Sequence, residues 1–472
     1  MTRSAISRRL LRKVTRRPPF WTGGLVLCGS LIITAACSTG DRVTALRRPA
    51  LDVSHAAGSF EFTMLASLGD FAPGGGNFSN DFETYGLNNR GVASFVTEVS
   101  VGGAVTSSGS SEGLFLARPG EIAQVARFGQ PAPGGGTFGP GILGSTPIND
   151  RGEVAFAYQL LPATFPLGTN SGLYRFAGKR GGVTAVVVPG STPAPGGGVF
   201  QGVAFDPTLN NRGDIAFDGV VPAGDGVFTA DRHGQISTVA QPGDSAPGGT
   251  FVDAVSGSIN DAGDVAFVGL IAGGYPGVYV KRAATGEIQS IAQRGEPAPG
   301  GGTYVSAYGP MINNRGEIAF VGEFAFRTAG LFLRSAQGVV ESVVRPGDPL
   351  PGGGNLAFVR GGSEYLHLNN AGAVLFLAHL DTGGGRLYVS SGDDLRFVAD
   401  TGDVIPGAGT IVGPFTAGAL NDHGEVFFAT KVRDADGVAL GSGPGKTIPS
   451  VRWVSSFQKE VCLDRKEACY RR

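Results

Sequence analysis

One turn motif recurs seven times along this chain and limits what the chain can fold into. Each copy reads apolar-Asn-x-x-Gly and is followed by a short apolar run that ends in Phe. The Asn and Gly of the seven copies are Asn88 and Gly91, Asn149 and Gly152, Asn210 and Gly213, Asn260 and Gly263, Asn313 and Gly316, Asn369 and Gly372, and Asn421 and Gly424. The copies lie 50 to 61 residues apart. Such periods indicate a repeat architecture, and a propeller blade takes roughly 40–50 residues.

The residue types of the motif predict a β-hairpin turn. Asn at the first position of a type I turn can hydrogen-bond its own backbone two residues on, and Gly three residues later adopts the left-handed conformation that side chains resist. Such a turn joins two antiparallel strands, with the Gly as a bulge. The run after the Gly is rich in β-branched and aromatic residues and is too short for a helix.

Three further features follow each motif in a fixed order. A short strand such as residues 277–280 is followed by a polar turn, an alternating strand such as Ile288–Ala292, and a Pro-Gly loop such as residues 299–302. Four-stranded sheets arranged radially form a β-propeller. The predicted fold is therefore all-β, a seven-bladed β-propeller of four-stranded blades. Residues 62–68 enter the array in fourth-strand phase and a weak third strand at 437–440 ends it, so the N-terminal strand is predicted to close the last blade.

The first 37 residues have the pattern of an export signal. Seven Lys and Arg residues precede an apolar stretch that is short for a membrane span, which needs about 20 residues. The sequence Ile33-Thr34-Ala35-Ala36-Cys37 resembles a bacterial lipobox, which implies lipidation of Cys37, and Ser38 after it resembles outer-membrane sorting. Ordinary signal cleavage and an uncleaved anchor stay open as alternatives. Residues 7–11 resemble a partial twin-arginine motif, so Sec and twin-arginine export both stay open.

Four segments are predicted: a lipoprotein-type signal at 1–37, a tether at 38–58, the seven-repeat propeller at 59–445 and a charged tail at 446–472. Removing the signal leaves 31 Lys and Arg against 39 Asp and Glu. A net charge near −8 excludes nucleic acid as a partner, because phosphate binding needs a basic face. Cys462 and Cys469 could form a disulfide in an oxidising compartment or stay free thiols.

The sequence predicts no catalytic residue, cofactor or metal site. The five His residues lack metal-ligand spacing, and no nucleophile-elbow motif is present. The Asn turns offer two or three oxygens each, whereas Ca²⁺ takes six to eight. Arg212-Gly213-Asp214 spells an adhesion tripeptide, but it coincides with the turn of the third repeat. The turns also resemble the Asp-box of sialidases, except that Phe comes four residues after the Gly instead of three.

A closer resemblance is to bacterial choice-of-anchor proteins with tandem Asn-x-x-Gly-x-x-Ala-Phe repeats. Residues 149–156, 210–217, 260–267 and 313–320 match that pattern, whereas Ser94, Leu375 and Phe427 replace the Ala in the other copies. The resemblance covers roughly residues 60–440. It implies an exported, surface-tethered repeat protein without an established activity, and the lipobox would serve as its anchor.

Three functions stay open at this stage. The favoured one is a monomeric binding module for an envelope protein or glycan, using the long loops at residues 96–112 and 157–171, because binding sites are commonly placed on variable loops. The second is a glycan-acting hydrolase or lyase, for which the only candidate cluster is Glu323, Glu364, His367, His379 and Asp381. The third is a passive surface-layer protein.

Overall fold

A computed structural model describes residues 61–79, 82–100, 112–162, 170–178, 181–204, 206–362, 365–405, 409–412, 415, 417–433 and 448–454. Every regular element in these ranges is a β-strand, and all the strand pairs are antiparallel. The predicted all-β β-propeller is confirmed. No helix long and apolar enough to cross a membrane occurs in the described ranges. The predicted signal, the tether, Cys37, Cys462 and Cys469 lie outside them.

The first three repeats hold fifteen of the strands. They are β1 (Glu61–Ala66), β2 (Asn77–Phe78), β3 (Glu83–Leu87), β4 (Ala93–Ser100), β5 (Glu112–Arg118), β6 (Glu121–Arg127), β7 (Thr137–Leu143), β8 (Val154–Leu161), β9 (Ser171–Phe176), β10 (Val183–Val187), β11 (Gly202–Val203), β12 (Thr208–Leu209), β13 (Ile215–Val221), β14 (Gly224–Ala230) and β15 (Ile236–Ala240).

The remaining repeats continue the series. Their strands are β16 (Ser245–Ala246), β17 (Gly249–Ile259), β18 (Val265–Ile271), β19 (Pro276–Lys281), β20 (Ile288–Ala292), β21 (Ser306–Ile312), β22 (Ile318–Ala325), β23 (Thr328–Arg334), β24 (Val340–Val344), β25 (Leu356–Val359), β26 (Leu366–Leu368), β27 (Ala373–Leu380), β28 (Gly385–Ser391), β29 (Asp394–Ala399), β30 (Val404–Ile405), β31 (Gly409–Ile411), β32 (Ala417–Leu420), β33 (Glu425–Thr430), β34 (Val432–Arg433) and β35 (Ile448–Val454).

Six blades are each built from one contiguous repeat. The second, for example, has the order β7-β8-β9-β10, so its strands pair with their neighbours in the sequence. The inner strand is split in the first, third and sixth blades, where two short pieces pair with the same second strand. A bulge interrupts the undivided inner strands β7, β17 and β21 at a corresponding place.

The seventh repeat contributes to a sheet with strands from both ends of the array. Its order is β32-β33-β35-β1. The sequence placed the third strand of this repeat at residues 437–440, which lie outside the described ranges. In the structure, β35 is the strand beside β33, and it comes from the segment interpreted as a charged tail. The short strand β31 pairs with β34 in a separate small sheet.

The second strands extend beyond the Phe of the motif, and this corrects the predicted loops. The sequence predicts that the long loops begin at residues 96 and 157, directly after Phe95 and Phe156. Strands β4 and β8 instead run on to Ser100 and Leu161, and five of the eight residues of β4 are buried in succession. Residues 96–100 and 157–161 are therefore scaffold. Most of what remains of both loops lies outside the described ranges.

A group of packed rings fills most of the blades. In the fourth blade Phe251, Phe267 and Tyr279 come from three successive strands, and their ring centroids lie 5.1–5.8 Å apart. Such aromatic pairs stabilise a fold by roughly 0.5–1.5 kcal/mol each, in addition to the effect of burying their apolar area. Gly269 allows this packing, because a Cβ there would lie 2.4 Å from the Phe251 ring.

The strand order defines two faces. One carries the Asn turns and the turns between the third and fourth strands, and we name it the turn face. The other carries the Pro-Gly loops and the hairpins between the second and third strands, and we name it the loop face. Asn355, which follows a Pro-Gly loop, donates its backbone N–H to Asp381 in such a hairpin at 2.9 Å, so the two loop types are adjacent.

Candidate functional site: the polar ring and the two faces

Each Asn turn is closed by the side chain of its first residue. Asn313 Oδ1 accepts hydrogen bonds from the backbone N–H groups of Arg315 and Glu317, both at 3.0 Å. The Gly316 N–H donates to the Asn313 carbonyl, and Gly316 has a φ of 77°. All seven motif glycines have φ between 68° and 92°. The local sequence folds in this way because Asn supplies the acceptor and Gly supplies the left-handed backbone.

The same Asn side chains connect one repeat to the next. The Nδ2 atom of each donates to the backbone carbonyl of the first Asn in the following repeat, at 2.9–3.1 Å, and these residues are only 3–5% exposed. The bonds run from Asn88 to Asn149, Asn149 to Asn210, Asn210 to Asn260, Asn260 to Asn313, Asn313 to Asn369, Asn369 to Asn421 and Asn421 to Asn88. The last bond returns to the first repeat.

A second ring lies beside the first. Its members are the next residues of the turns, Asn89, Asp150, Asn211, Asp261, Asn314, Asn370 and Asp422. Each backbone N–H donates to Oδ1 of the following member at 2.7–2.9 Å. Asn and Asp alternate except at the neighbours Asn314 and Asn370. No two carboxylates of the ring are therefore adjacent. Each carboxylate accepts a side-chain amide hydrogen: Asn89 donates to Asp150 and Asp422, and Asn314 donates to Asp261.

The two rings surround a cavity of about 210 Å³ at the turn face. The apolar residues before each Asn also line it. The polar groups around this cavity are largely satisfied by one another, which makes the arrangement a scaffold. No group of three or more His, Cys, Asp or Glu side chains in the described ranges is placed to hold a metal ion. Arg212 and Asp214 of the tripeptide form an ion pair at 3.8 Å within their turn.

The described members of the cluster proposed for glycan cleavage lie on the fifth and sixth blades. Glu364 lies outside the described ranges. Glu323 accepts a hydrogen bond from Ser306 at 2.7 Å, and Asp381 accepts from Asn355. His367 pairs with Leu375, four residues along β27 from His379, a separation of roughly 13 Å at 3.3 Å per residue.

His379 has a packing role. Its ring stacks on Phe358 with centroids 4.3 Å apart. Burial, with Arg360 and Arg327 nearby, lowers its pKa, so the neutral imidazole is favoured. This environment gives no acid–base partner to His379 in the part of the chain that the structure describes.

Sequence reasoning missed a set of buried carboxyl groups. Asp218 is buried, and its Oδ2 accepts the Ser256 N–H at 2.9 Å, where Ser256 has a φ of 57° in the bulge of β17. Burial raises the pKa of Asp218 well above its usual value. A signal was present in the sequence, because the residue after the motif Phe is apolar in the other six repeats.

Glu112 is a titratable group of the loop face with a raised pKa. Its Oε2 accepts the Ile142 N–H at 2.8 Å, across the contact between the first and second blades. Burial raises the pKa of Glu112 to about 7, and the charges of Glu83 and Glu98 add to the rise. Burial likewise raises the pKa of Asp253 to about 6.

The strand order and the radial blades define the class of protein as a β-propeller. The chain belongs to a family of unknown function (DUF7453), which matches residues 51–274 and 269–442. No curated protein sequence matches the chain. The resemblance to choice-of-anchor repeat proteins stays a prediction.

Similar solved structures include TolB from Acinetobacter baumannii, with 13% identity, a TM-score of 0.38, and coverage of 69% of this chain and 65% of that chain. The propeller domain of the Trilobed protease from Pyrococcus furiosus has 10% identity, a TM-score of 0.46, and coverage of 80% and 94%. A Mycobacterium tuberculosis puromycin-hydrolyzing peptidase has 11% identity, a TM-score of 0.49, and coverage of 84% and 56%. The chain spans about half to two thirds of the first similar structures. No activity or partner follows from these values.

The raised pKa of Glu112 predicts how stability depends on pH. Between its unfolded value of 4.5 and its folded value of about 7, the native state holds a proton that the unfolded state has lost. This contribution is fully present below pH 4.5 and is lost as the pH rises through 7. The Glu112→Gln variant lacks this contribution. Between pH 5 and 8 its free energy of unfolding should therefore rise relative to that of the wild type, by up to about 3 kcal/mol.

Urea unfolding at several pH values measures this difference. Glu341→Gln is the matched control, because Glu341 is exposed on β24, and its curve should run parallel to the wild-type curve. Parallel curves for Glu112→Gln and the wild type would contradict the interpretation of Glu112.

Proposed function

We propose that this protein is an exported, lipid-anchored β-propeller that binds a protein partner at the cell envelope through its loop face. The observation that carries the proposal is the uneven distribution of exposed apolar side chains. Nine large apolar residues are exposed in the described ranges, and seven of them lie on the loop face: Phe71, Leu161, Val199, Val252, Tyr275, Phe326 and Val404. Of the other two, Met64 lies within β1 and Val339 lies on the turn face.

The size of these residues and their neighbours support a protein ligand. Phe326 is 82% exposed and Phe71 is 72% exposed. Arg294 lies over the Tyr275 ring at 3.9 Å, and Arg345 lies over the Phe324 ring at 4.6 Å. Aromatic residues and Arg are enriched at the centres of protein interfaces. The seven residues come from six repeats, whereas a small ligand would be enclosed in one concave pocket.

The two other functions explain fewer observations. A glycan-acting hydrolase or lyase would need acidic or His side chains that converge, and His367 and His379 of its candidate cluster lie roughly 13 Å apart along the sheet. A passive surface layer would not require exposed Phe and Tyr on one face in preference to the other.

We also propose that the propeller has seven blades and is closed by β1. The bond from Asn421 to Asn88, together with the sheet order β32-β33-β35-β1, supports this closure. Each interblade hydrogen bond of the ring then contributes equally to the free energy of unfolding, whichever two blades it joins.

Closure predicts equal effects for two isosteric variants. Asn421→Asp and Asn210→Asp both keep the acceptor for their own turn and lose the Nδ2 donor. Each residue also has an acidic neighbour four residues on, Glu425 or Asp214. Because a buried carbonyl loses its donor, each variant should cost about 1–3 kcal/mol. Urea unfolding measures both. A clearly smaller cost for Asn421→Asp would show that the ring is open at this point.

The docking proposal predicts a loss of partner capture without a loss of folding. The triple variant Phe71→Ser, Tyr275→Ser and Phe326→Ser removes three exposed side chains, so its thermal unfolding midpoint should match that of the wild type. Quantitative mass spectrometry after capture from cross-linked envelopes should find a protein with the wild type and with the turn-face control Val339→Ser. The triple variant should lose that protein. Equal capture by the triple variant, or no partner for the wild type, would overturn the proposal.

The lipid anchor rests on the sequence of the first 37 residues. Cys37→Ala should abolish incorporation of labelled palmitate and move the protein from the membrane fraction to the soluble fraction. Cys28→Ala, in the same segment, should leave both unchanged. A labelled and membrane-bound Cys37→Ala protein would exclude Cys37 as the lipidated residue.

A further inference from the structure

We infer that a groove on the turn face, between the first and second blades, binds a small organic carboxylate with an apolar body, and that Arg90 holds the carboxylate. This site is separate from the proposed docking surface on the loop face. The repeats differ in the chemistry of their Asn turns at this place.

Three Asn turns carry an internal ion pair. The third residue of the turn is Arg and the fifth is acidic: Arg151 pairs with Glu153 at 2.6 Å, and Arg315 pairs with Glu317 at 2.7 Å. Arg212 and Asp214 form the third pair. The acidic residue also accepts the amide of the first Asn, as Glu153 accepts Asn149 Nδ2 at 2.6 Å. A turn Arg in these repeats therefore has its carboxylate supplied by its own turn.

The first repeat keeps the Arg and lacks the acid. Arg90 is exposed, and Val92 stands where the acidic residue would be. Asn88 Oδ1 still accepts the N–H groups of Arg90 and Val92 at 3.0 and 2.9 Å, so the turn itself is unchanged. No acidic side chain in the described ranges pairs with the Arg90 guanidinium. The replacement therefore changes only the side-chain chemistry.

Arg90 and Val92 both line a groove of about 590 Å³. Leu116, Ala123, Val125 and Phe176 supply further apolar surface. This volume lies within the range of roughly 300–1,000 Å³ that is typical of small-molecule pockets. Apolar walls with a few placed charges are also typical of such pockets.

Two corresponding contacts between other blades are occupied by cations. Lys281 of the fourth repeat donates to the carbonyls of Thr238 and Val239 in the third repeat, at 2.9 and 3.0 Å. Phe176 holds the place of Lys281 in the second repeat. Arg175 is buried and donates to carbonyls of the third repeat, and Leu116 holds its place in the first repeat. The groove is therefore apolar at positions where two of its counterparts hold a hydrogen-bonded cation.

The charges at the rim favour an anion. Arg118 is paired with Glu121, and Arg151 is paired with Glu153. Arg90 is the third guanidinium at the groove and brings the excess positive charge. Guanidinium can bind a carboxylate through two parallel hydrogen bonds. A ligand carboxylate would replace that acid, and its apolar body would cover Val92 and Phe176.

Isothermal titration of the full chain tests this site with benzoate, 4-phenylbutyrate and decanoate, each beside its neutral alcohol. At least one acid should bind, and at least tenfold more tightly than its alcohol. Arg90→Gln should weaken that binding at least tenfold. Val92→Glu should do the same, because the restored acid pairs with Arg90. Arg212→Gln, a turn Arg of another repeat, should bind as the wild type does.

Arg90 is exposed, so Arg90→Gln should keep the wild-type unfolding midpoint, which separates lost binding from lost folding. Full binding by Arg90→Gln, equal binding of acid and alcohol, or no binding of any of the three acids would overturn the inference.

Discussion

The structure depends on the two ends of one amide side chain. In each turn the Asn oxygen accepts the N–H groups of its own repeat, and the Asn nitrogen donates to the backbone of the next repeat. Asp has no donor for the second bond, and Gln would carry its amide one methylene further away. Because the site is buried, losing either bond leaves a backbone group unsatisfied. This double demand explains why the first turn position is Asn in all seven repeats, while the third position is Arg, Ala or His.

The hydrogen bonds of the Asn side chains leave the neighbouring positions free to differ. The second residue of each turn is bonded through its backbone N–H, and its side chain must only accept from the turn before it. Both Asn and Asp meet that demand, and alternation keeps the three carboxylates apart. At the third and fifth positions of the first repeat, the N–H groups of Arg90 and Val92 bond to Asn88 of their own turn and not to the next repeat. Replacement of the acid by Val92 could therefore occur without disturbing the turn, and it leaves Arg90 available to a ligand.

Local features of the fold were readable from the sequence, whereas contacts between repeats were not. The strand Ile288–Ala292 occurs as predicted, because alternation and turn residues act within a few positions. The length of β4 was underestimated, because its last residues are buried by the neighbouring blade. The raised pKa of Glu112 also depends on a neighbour, since Ile142 belongs to the next repeat. An alignment of the repeats shows that Val92 stands where most copies have an acidic residue, but only the structure shows that Phe176 lines the same groove.

The two faces differ because only one of them carries the ring. On the turn face, the central backbone groups are engaged by Asn and Asp side chains, so a longer or more apolar turn would break interblade bonds. On the loop face, hairpins such as the one at Phe326 end in solvent and can vary without that cost. Apolar docking residues are therefore compatible with the loop face in many repeats. A site on the turn face must arise beside the ring, at a position such as Val92 whose side chain the ring does not use.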